Sequence, residues 1–198
     1  MIFSINDDLL TRIEKFEEFD SEKYFSSVEK IHARDLIFSN CTKKHAVQIT
    51  RIWHSRLPNT QSGPWMFAFK ASFCGVTYMT ALWNNPSART LPKNWIELRR
   101  LTCTPDTPKN SPSRFLSWMV KYFKKNFPKF EKCISYQDKS VHKGTIYSAA
   151  GWNIAFISKS RIRDRTITDS GTNHLYRCNL NGIDVDMSEK IRWEKSLL

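Results

Sequence analysis

No run of about 18 apolar residues occurs in the 198-residue chain, so no membrane-spanning helix and no membrane partner are expected. The opening stretch, MIFSINDDLLTRIEKFEEF, is acidic and amphipathic, which argues against a signal or transit peptide and for a cytoplasmic setting. Cys-x-x-Cys never occurs. Cys41, Cys74, Cys103, Cys133 and Cys178 are odd in number and scattered, which excludes a disulfide framework or zinc ribbon and reads as small core residues. HExxH and similar metal spacings are missing, as are internal repeats and low-complexity tracts.

Acids are scarce after the first 30 residues. Those 30 hold eight acids against four bases, so residues 31–198 carry 27 bases against 11 acids, a surplus of +16 that the −4 of the first 30 brings to a net +12. A basic body with 13% aromatics has the charge for phosphates and the rings for stacking, as expected of a nucleic-acid binder. Lys121, Lys124, Lys125, Lys139 and Lys143 are the expected DNA contacts, with Arg161, Arg163 and Arg165 as a further cluster.

What remains reads as one mixed α/β domain: an N-terminal helical accessory segment over 1–40 and a catalytic domain over 41–198. Leu9, Leu10, Ile13, Phe16 and Phe19 give near-helical spacing over 8–19. KKHAVQITRIWH predicts a helix with Ala46, Ile49, Ile52 and Trp53 on one stripe and His54 at its end. Residues 65–83, broken by Gly75, predict two antiparallel strands or one sharply bent strand, and NWIELRRLTC a third. Ser111 as N-cap and Pro112 as the first helical residue should start a long helix burying Phe115, Leu116, Met119, Val120 and Phe123. KCISYQD and WNIAFIS predict strands around a short helix, GTIYSAA, closed by Gly151, and HLYRCNL a last strand.

Chemistry is expected where KCISYQD meets that short helix, because loops at strand ends are exposed yet held still. Tyr136 and Asp138 share a strand face, and Tyr147, one turn into the helix, is placed to meet Asp138. The competing reading makes Asp138 a loop cap and Tyr147 a packing residue. Glu97 and Arg100 have opposite strand parity and share a site only if a bulge intervenes.

The strand and helix order resembles the GNAT acyltransferase architecture, a mostly antiparallel central sheet flanked by helices. In order, WHSRLP, ELRRL, PKNSPSRFL and SYQDKSVHKGTIYSAAGW resemble the Mom-type DNA adenine-modification proteins of bacteriophages, over residues 45–158. The resemblance implies transfer of a carbamoylmethyl group to adenine N6 in DNA, shielding it from restriction inside a phage-infected or prophage-bearing cell. It places the functional residues at His54, Arg100, Ser113, Asp138 and Tyr147. The chain departs from the family at Ser55, where a Tyr is frequent.

On this basis Asp138 or His54 handles the amino proton, Arg100 binds donor or phosphate, and Tyr136 and Tyr147 wall the flipped base. Asn110, Ser113 and Arg114 are the expected donor-binding residues. The donor itself is unknown. Acetyl-CoA is disfavoured, because TPDTPKNSPSRF has three prolines and no glycine where a pyrophosphate cradle would need N–H groups and a pliant backbone. An iron ion at His54 and a homodimer are left open. An ordinary GNAT enzyme acting on a protein or small amine, and a non-catalytic basic DNA-binding protein, are the rival readings.

Overall fold

A computed structural model describes residues 7–15, 19–54, 64–158 and 189–198. It contains seven strands and five α-helices among those residues: α1 (Asp7–Arg12), α2 (Ser21–Ser27), β1 (Ile37–Asn40), α3 (Lys43–Trp53), β2 (Phe67–Phe73), β3 (Val76–Asn84), β4 (Trp95–Cys103), α4 (Ser111–Asn126), β5 (Lys132–Asp138), α5 (Thr145–Ala149), β6 (Asn153–Ser158) and β7 (Lys190–Ser196). The strands form one sheet in the order β1-β2-β3-β4-β5-β7-β6. Every neighbouring pair is antiparallel except β4 and β5, which α4 joins as a crossover.

Alternation along the strands divides the core into two layers. Phe69 and Trp83 point to the α4 face, where Phe115, Leu116, Met119 and Phe123 are all fully buried. Each such side chain contributes roughly 1.5–3 kcal/mol, which makes α4 the main anchor of the sheet. Trp83 keeps its polar atom satisfied by donating from Nε1 to Met119 Sδ at 3.0 Å. Ala68 and Leu82 point the other way and pack with Ala46 and Val47 of α3.

Several expectations need correction. The helix expected over 8–19 stops at Arg12, because Ile13 bridges Val76 and Glu14 turns inward to Lys70 at 2.7 Å; residues 16–18 lie outside the described residues. The buried stripe of α3 is Ala46, Val47, Ile49 and Thr50, with Ile52 48% exposed, one helical step round from the expected face. Asn110, with φ +66°, is the N-cap of α4, so Ser111 is its first residue. β1 and β7 were not foreseen, and HLYRCNL lies outside the described residues. No described helix is long and apolar enough to cross a membrane.

Candidate active site

β4 and β5 pair only from Trp95–Leu98 against Lys132–Ser135, although β4 continues to Cys103 and β5 to Asp138. Beyond Leu98 and Ser135 the parallel strands part, and the sheet opens at their carboxyl ends, where ligands bind in open α/β sheets. A bulge starts the divergence: Trp83 faces Leu98 and Leu82 faces Arg100, leaving Arg99 as the extra residue. Glu97 and Arg100 thereby come to one side of β4, as the sequence required for them to share a site. Glu97 is held by Ser87, whose N–H donates at 2.6 Å and whose Oγ donates at 2.9 Å.

The α3 face of the opening brings together His54, Arg100 and His142. His54 is the C-cap of α3, its N–H donating to the Thr50 carbonyl at 3.0 Å. Burial, then the charges of Arg100 and His142, push its imidazole down to about 4, so it is neutral at physiological pH. Arg100 is pushed down to about 10 by burial and by Arg99 beside it, and stays protonated. Its Nη1 donates to the Arg99 carbonyl at 2.7 Å. His142, within SYQDKSVHKGTIYSAAGW, is a further residue at the opening that no local pattern singles out; its Nδ1 accepts from Gly144 N–H at 3.2 Å, which leaves Nε2 as the donor of its neutral form.

On the α5 side the expected Tyr147–Asp138 meeting does not occur. Asp138 Oδ1 accepts from Ser140 N–H at 2.9 Å and from Ser140 Oγ at 2.6 Å, the loop-capping arrangement. Tyr147 meets Ser135 instead, at 2.9 Å. Ser135 spends its one hydroxyl proton on the Leu98 carbonyl (3.1 Å), so the phenol must be the donor of that pair. Burial holds the Tyr147 phenol above its ordinary value, and its ring stacks on Trp193 at 5.4 Å. Ser135 therefore ties β5 to β4 at the point of divergence, and Tyr147 ties α5 to Ser135. Tyr136, with the opposite strand parity from Ser135, is half-buried, with Arg192 opposite it on β7.

Gly144 makes the loop possible. Its φ is +75°, and a Cβ there would collide with Gln137 Oε1 and come within 2.8 Å of the Trp193 ring. Gln137 is itself fixed, accepting from Trp193 Nε1 at 2.7 Å and donating to the His142 carbonyl at 2.5 Å. Gly144→Ala should therefore cost about 2–3 kcal/mol in denaturant unfolding, combining a left-handed backbone with displaced neighbours. Gly151→Ala, at φ +70° but with only Lys195 Nζ at 3.2 Å, should cost about 1 kcal/mol. Equal losses would mean that the cost is backbone strain alone.

The start of α4 borders the opening. Ser113 Oγ and Arg114 N–H both donate to the Asn110 carbonyl, at 3.0 and 3.2 Å. In the loop before it, the N–H groups of Thr104, Thr107 and Ser111 are turned to the carbonyls of Tyr78, Thr104 and Pro108. Ser111 Oγ is buried without a hydrogen-bond partner. Lys139 and Lys143 stand at the mouth, Lys139 paired with Glu189 at 2.5 Å. Lys121, Lys124 and Lys125 are exposed but lie about 15–20 Å down α4, toward the start of β5 and away from the mouth. Arg161, Arg163, Arg165 and Ser55 lie outside the described residues. Among the described residues no three His, Cys, Asp or Glu side chains gather as metal ligands around His54 or elsewhere.

This sheet order, with one parallel pair that splays, defines the GNAT acyltransferase fold. The chain is similar in structure to an N-acetyltransferase from Staphylococcus aureus Mu50 (TM-score 0.56, 11% identity, 82% of this chain and 97% of that one). It is also similar to the ribosomal-protein-S18-alanine N-acetyltransferase from Escherichia coli (0.51, 12%, 82% and 94%). A GNAT superfamily phosphinothricin acetyltransferase from Sinorhizobium meliloti in complex with acetyl-CoA matches at 0.54 and 11% (82% and 88%). No curated protein matches the sequence. The chain belongs to the Mom protein family, whose model matches residues 35–195.

Proposed function

We propose that this protein transfers a carbamoylmethyl group to the exocyclic N6 of adenine in DNA and so protects that DNA from restriction. The observation that carries the reading is the neutral imidazole of His54, beside Arg100 and His142 at the mouth of the strand opening. Adenine N6 is a weak nucleophile, because its lone pair is conjugated into the ring, and it needs a base as the new bond forms. The His54 imidazole is unprotonated at neutral pH and so open to that proton; burial and the Arg100 charge make it a weaker base than an ordinary histidine, which suits the acidic proton that N6 carries once the new bond has formed. The Arg100 charge beside His54 suits a phosphodiester substrate, and a base in duplex DNA reaches the opening by flipping.

In the reaction N6 attacks the methylene carbon of the donor. The N–C bond forms as the bond to the leaving group breaks, and the leaving group departs with that electron pair. The N6 proton passes to the His54 imidazole. Arg100 pairs with the phosphate or the departing anion, and Tyr136 offers a ring at the wall. Asp138 holds the loop that carries His142, and Tyr147 ties α5 to the strand junction, so both act by position. Ser113, in the first turn of α4, borders the donor end. Plasmid from cells making the protein should resist restriction enzymes whose sites contain adenine; full sensitivity, with the protein soluble and abundant, overturns the reading.

An ordinary acyltransferase is favoured by one observation, the buried and unpartnered Ser111 hydroxyl at the start of α4, where an anion finds N–H groups. Against it stand the prolines at 105, 108 and 112 and the committed N–H groups of Thr104, Thr107 and Ser111. Titration calorimetry with acetyl-CoA should accordingly show no micromolar binding. Tight binding lost in Ser111→Ala would make the acyl-CoA reaction the better account.

A further inference from the structure

A cavity of about 620 Å³ lies outside the strand opening, lined by Ile31, His32, Ala33 and Arg34 before β1 and by Pro108, Lys109, Asn110 and Arg114 at the start of α4. It sits on the β1 flank of α4, since Phe38 of β1 packs on Phe115 at 5.2 Å and Trp118 at 5.8 Å. The opening between β4 and β5 is on the other flank. The two sites are therefore about one helix diameter apart, roughly 10–12 Å.

The lining holds three permanent cations and no carboxylate. Nearby acids are already engaged: Asp35 Oδ2 accepts from His32 N–H at 2.8 Å, and Asp106 takes Arg12 at 2.9 Å. Arg114 is held in place by donating to the Ala33 carbonyl and by lying over the Phe38 ring at 5.7 Å, which leaves its remaining N–H groups for a ligand. Lys109 is exposed, with its ammonium available as a point charge. Arg34 is 80% exposed at its side chain and lies 3.8 Å from Asp35, a distance at which solvent weakens the pair and frees the guanidinium to turn.

From this cavity we infer that the residues preceding β1 and the start of α4 form a phosphate site, which grips the backbone of the DNA strand whose adenine enters the opening. The inference rests on the DNA reading above and adds where the strand is held. At one helix diameter, the gripped phosphodiester belongs to a nucleotide a few positions from the reacting base.

Fluorescence anisotropy with a labelled duplex, repeated over a salt series, tests it. The Arg34→Glu/Lys109→Glu double variant should bind at least tenfold more weakly, with a log–log salt slope shallower by about 2, one for each lost contact. Arg34→Lys/Lys109→Arg should retain the parent slope. Arg89→Glu/Lys93→Glu, an equal charge change on exposed residues ahead of β4, should leave the slope unchanged. Parallel losses in the two acidic doubles would show overall charge rather than a site, and no loss in either would show that the cavity is idle; both overturn the inference. Titration with inorganic pyrophosphate separates the sources: binding that disappears in Arg34→Glu/Lys109→Glu while the DNA slope stays intact would assign the cavity to a small phosphorylated ligand and overturn the DNA grip. A parent protein with no salt-dependent DNA binding overturns the underlying reading itself.

Discussion

Replacing His54 with alanine should lower DNA modification by about 10²–10⁴-fold, the usual contribution of a positioned general base, and leave DNA affinity within about twofold. The same variant should be more resistant to acid. His54 titrates at about 4 when folded, below the 6.5 of an ordinary histidine. As pH falls below 6.5 the unfolded chain takes up a proton that the folded chain refuses until about 4, so parent stability drains away across that window. Alanine removes this drain, and the gap between variant and parent should open in their favour-reversed order: little at pH 7, the variant ahead at pH 5. The parent's rate, insofar as it depends on His54, should stay level from neutrality to about pH 5. A rate that halves near 6.5 would mean an ordinary, solvated histidine and a different base.

The largest expected loss of stability lies far from the opening, at the pair formed by Lys70 and Glu14. Lys70 is fully buried in β2, and Glu14 Oε2 meets its Nζ at 2.7 Å while Oε1 accepts from Thr42 N–H at 2.7 Å. Glu14→Leu should cost about 3–5 kcal/mol, because it removes the carboxylate that meets the buried Lys70 ammonium and accepts from Thr42 N–H. In a chain of this size that lowers Tm by roughly 10 °C. Glu14→Leu/Lys70→Met should recover most of the loss, since an apolar pair of similar volume is often neutral. Burial acts to raise the Glu14 carboxyl, but Lys70 and Thr42 outweigh it and hold the group below its ordinary 4.5. The contribution is therefore present above that value and lost as pH falls through the lower folded value. A Glu14→Leu variant as stable as the parent would mean that the segment before α2 is not locked to the sheet.

The legible parts of the sequence were those where one period dominates. Phe115, Leu116, Met119, Val120 and Phe123 read as one helical face and are all buried in α4. The turn between β2 and β3 falls at Cys74 and Gly75, both at positive φ, where glycine marked it. β1 is only four residues long and β7 alternates charged and apolar side chains, so neither carries a strong local signal. The bulge at Arg99 was legible only as a condition, because parity says what a bulge would achieve and nothing local says that one is present. Asp138 and Tyr147 are expected from the sequence to meet, but their partners are decided by groups close in space: Ser140, two residues on from Asp138, and Ser135, which faces Tyr147 from β5. The electrostatic state of His54 depends on Arg100 and His142, which are 46 and 88 residues away in the sequence, and no local pattern could report it.

Nucleoside mass spectrometry on DNA from cells making the parent protein or the His54→Ala variant decides whether this chain modifies adenine through a neutral His54. Parent DNA should yield a deoxyadenosine heavier by a carbamoylmethyl group, and the variant's DNA should yield almost none. Unmodified deoxyadenosine alone from cells rich in soluble parent protein, or equal modification by parent and variant, would contradict that reading.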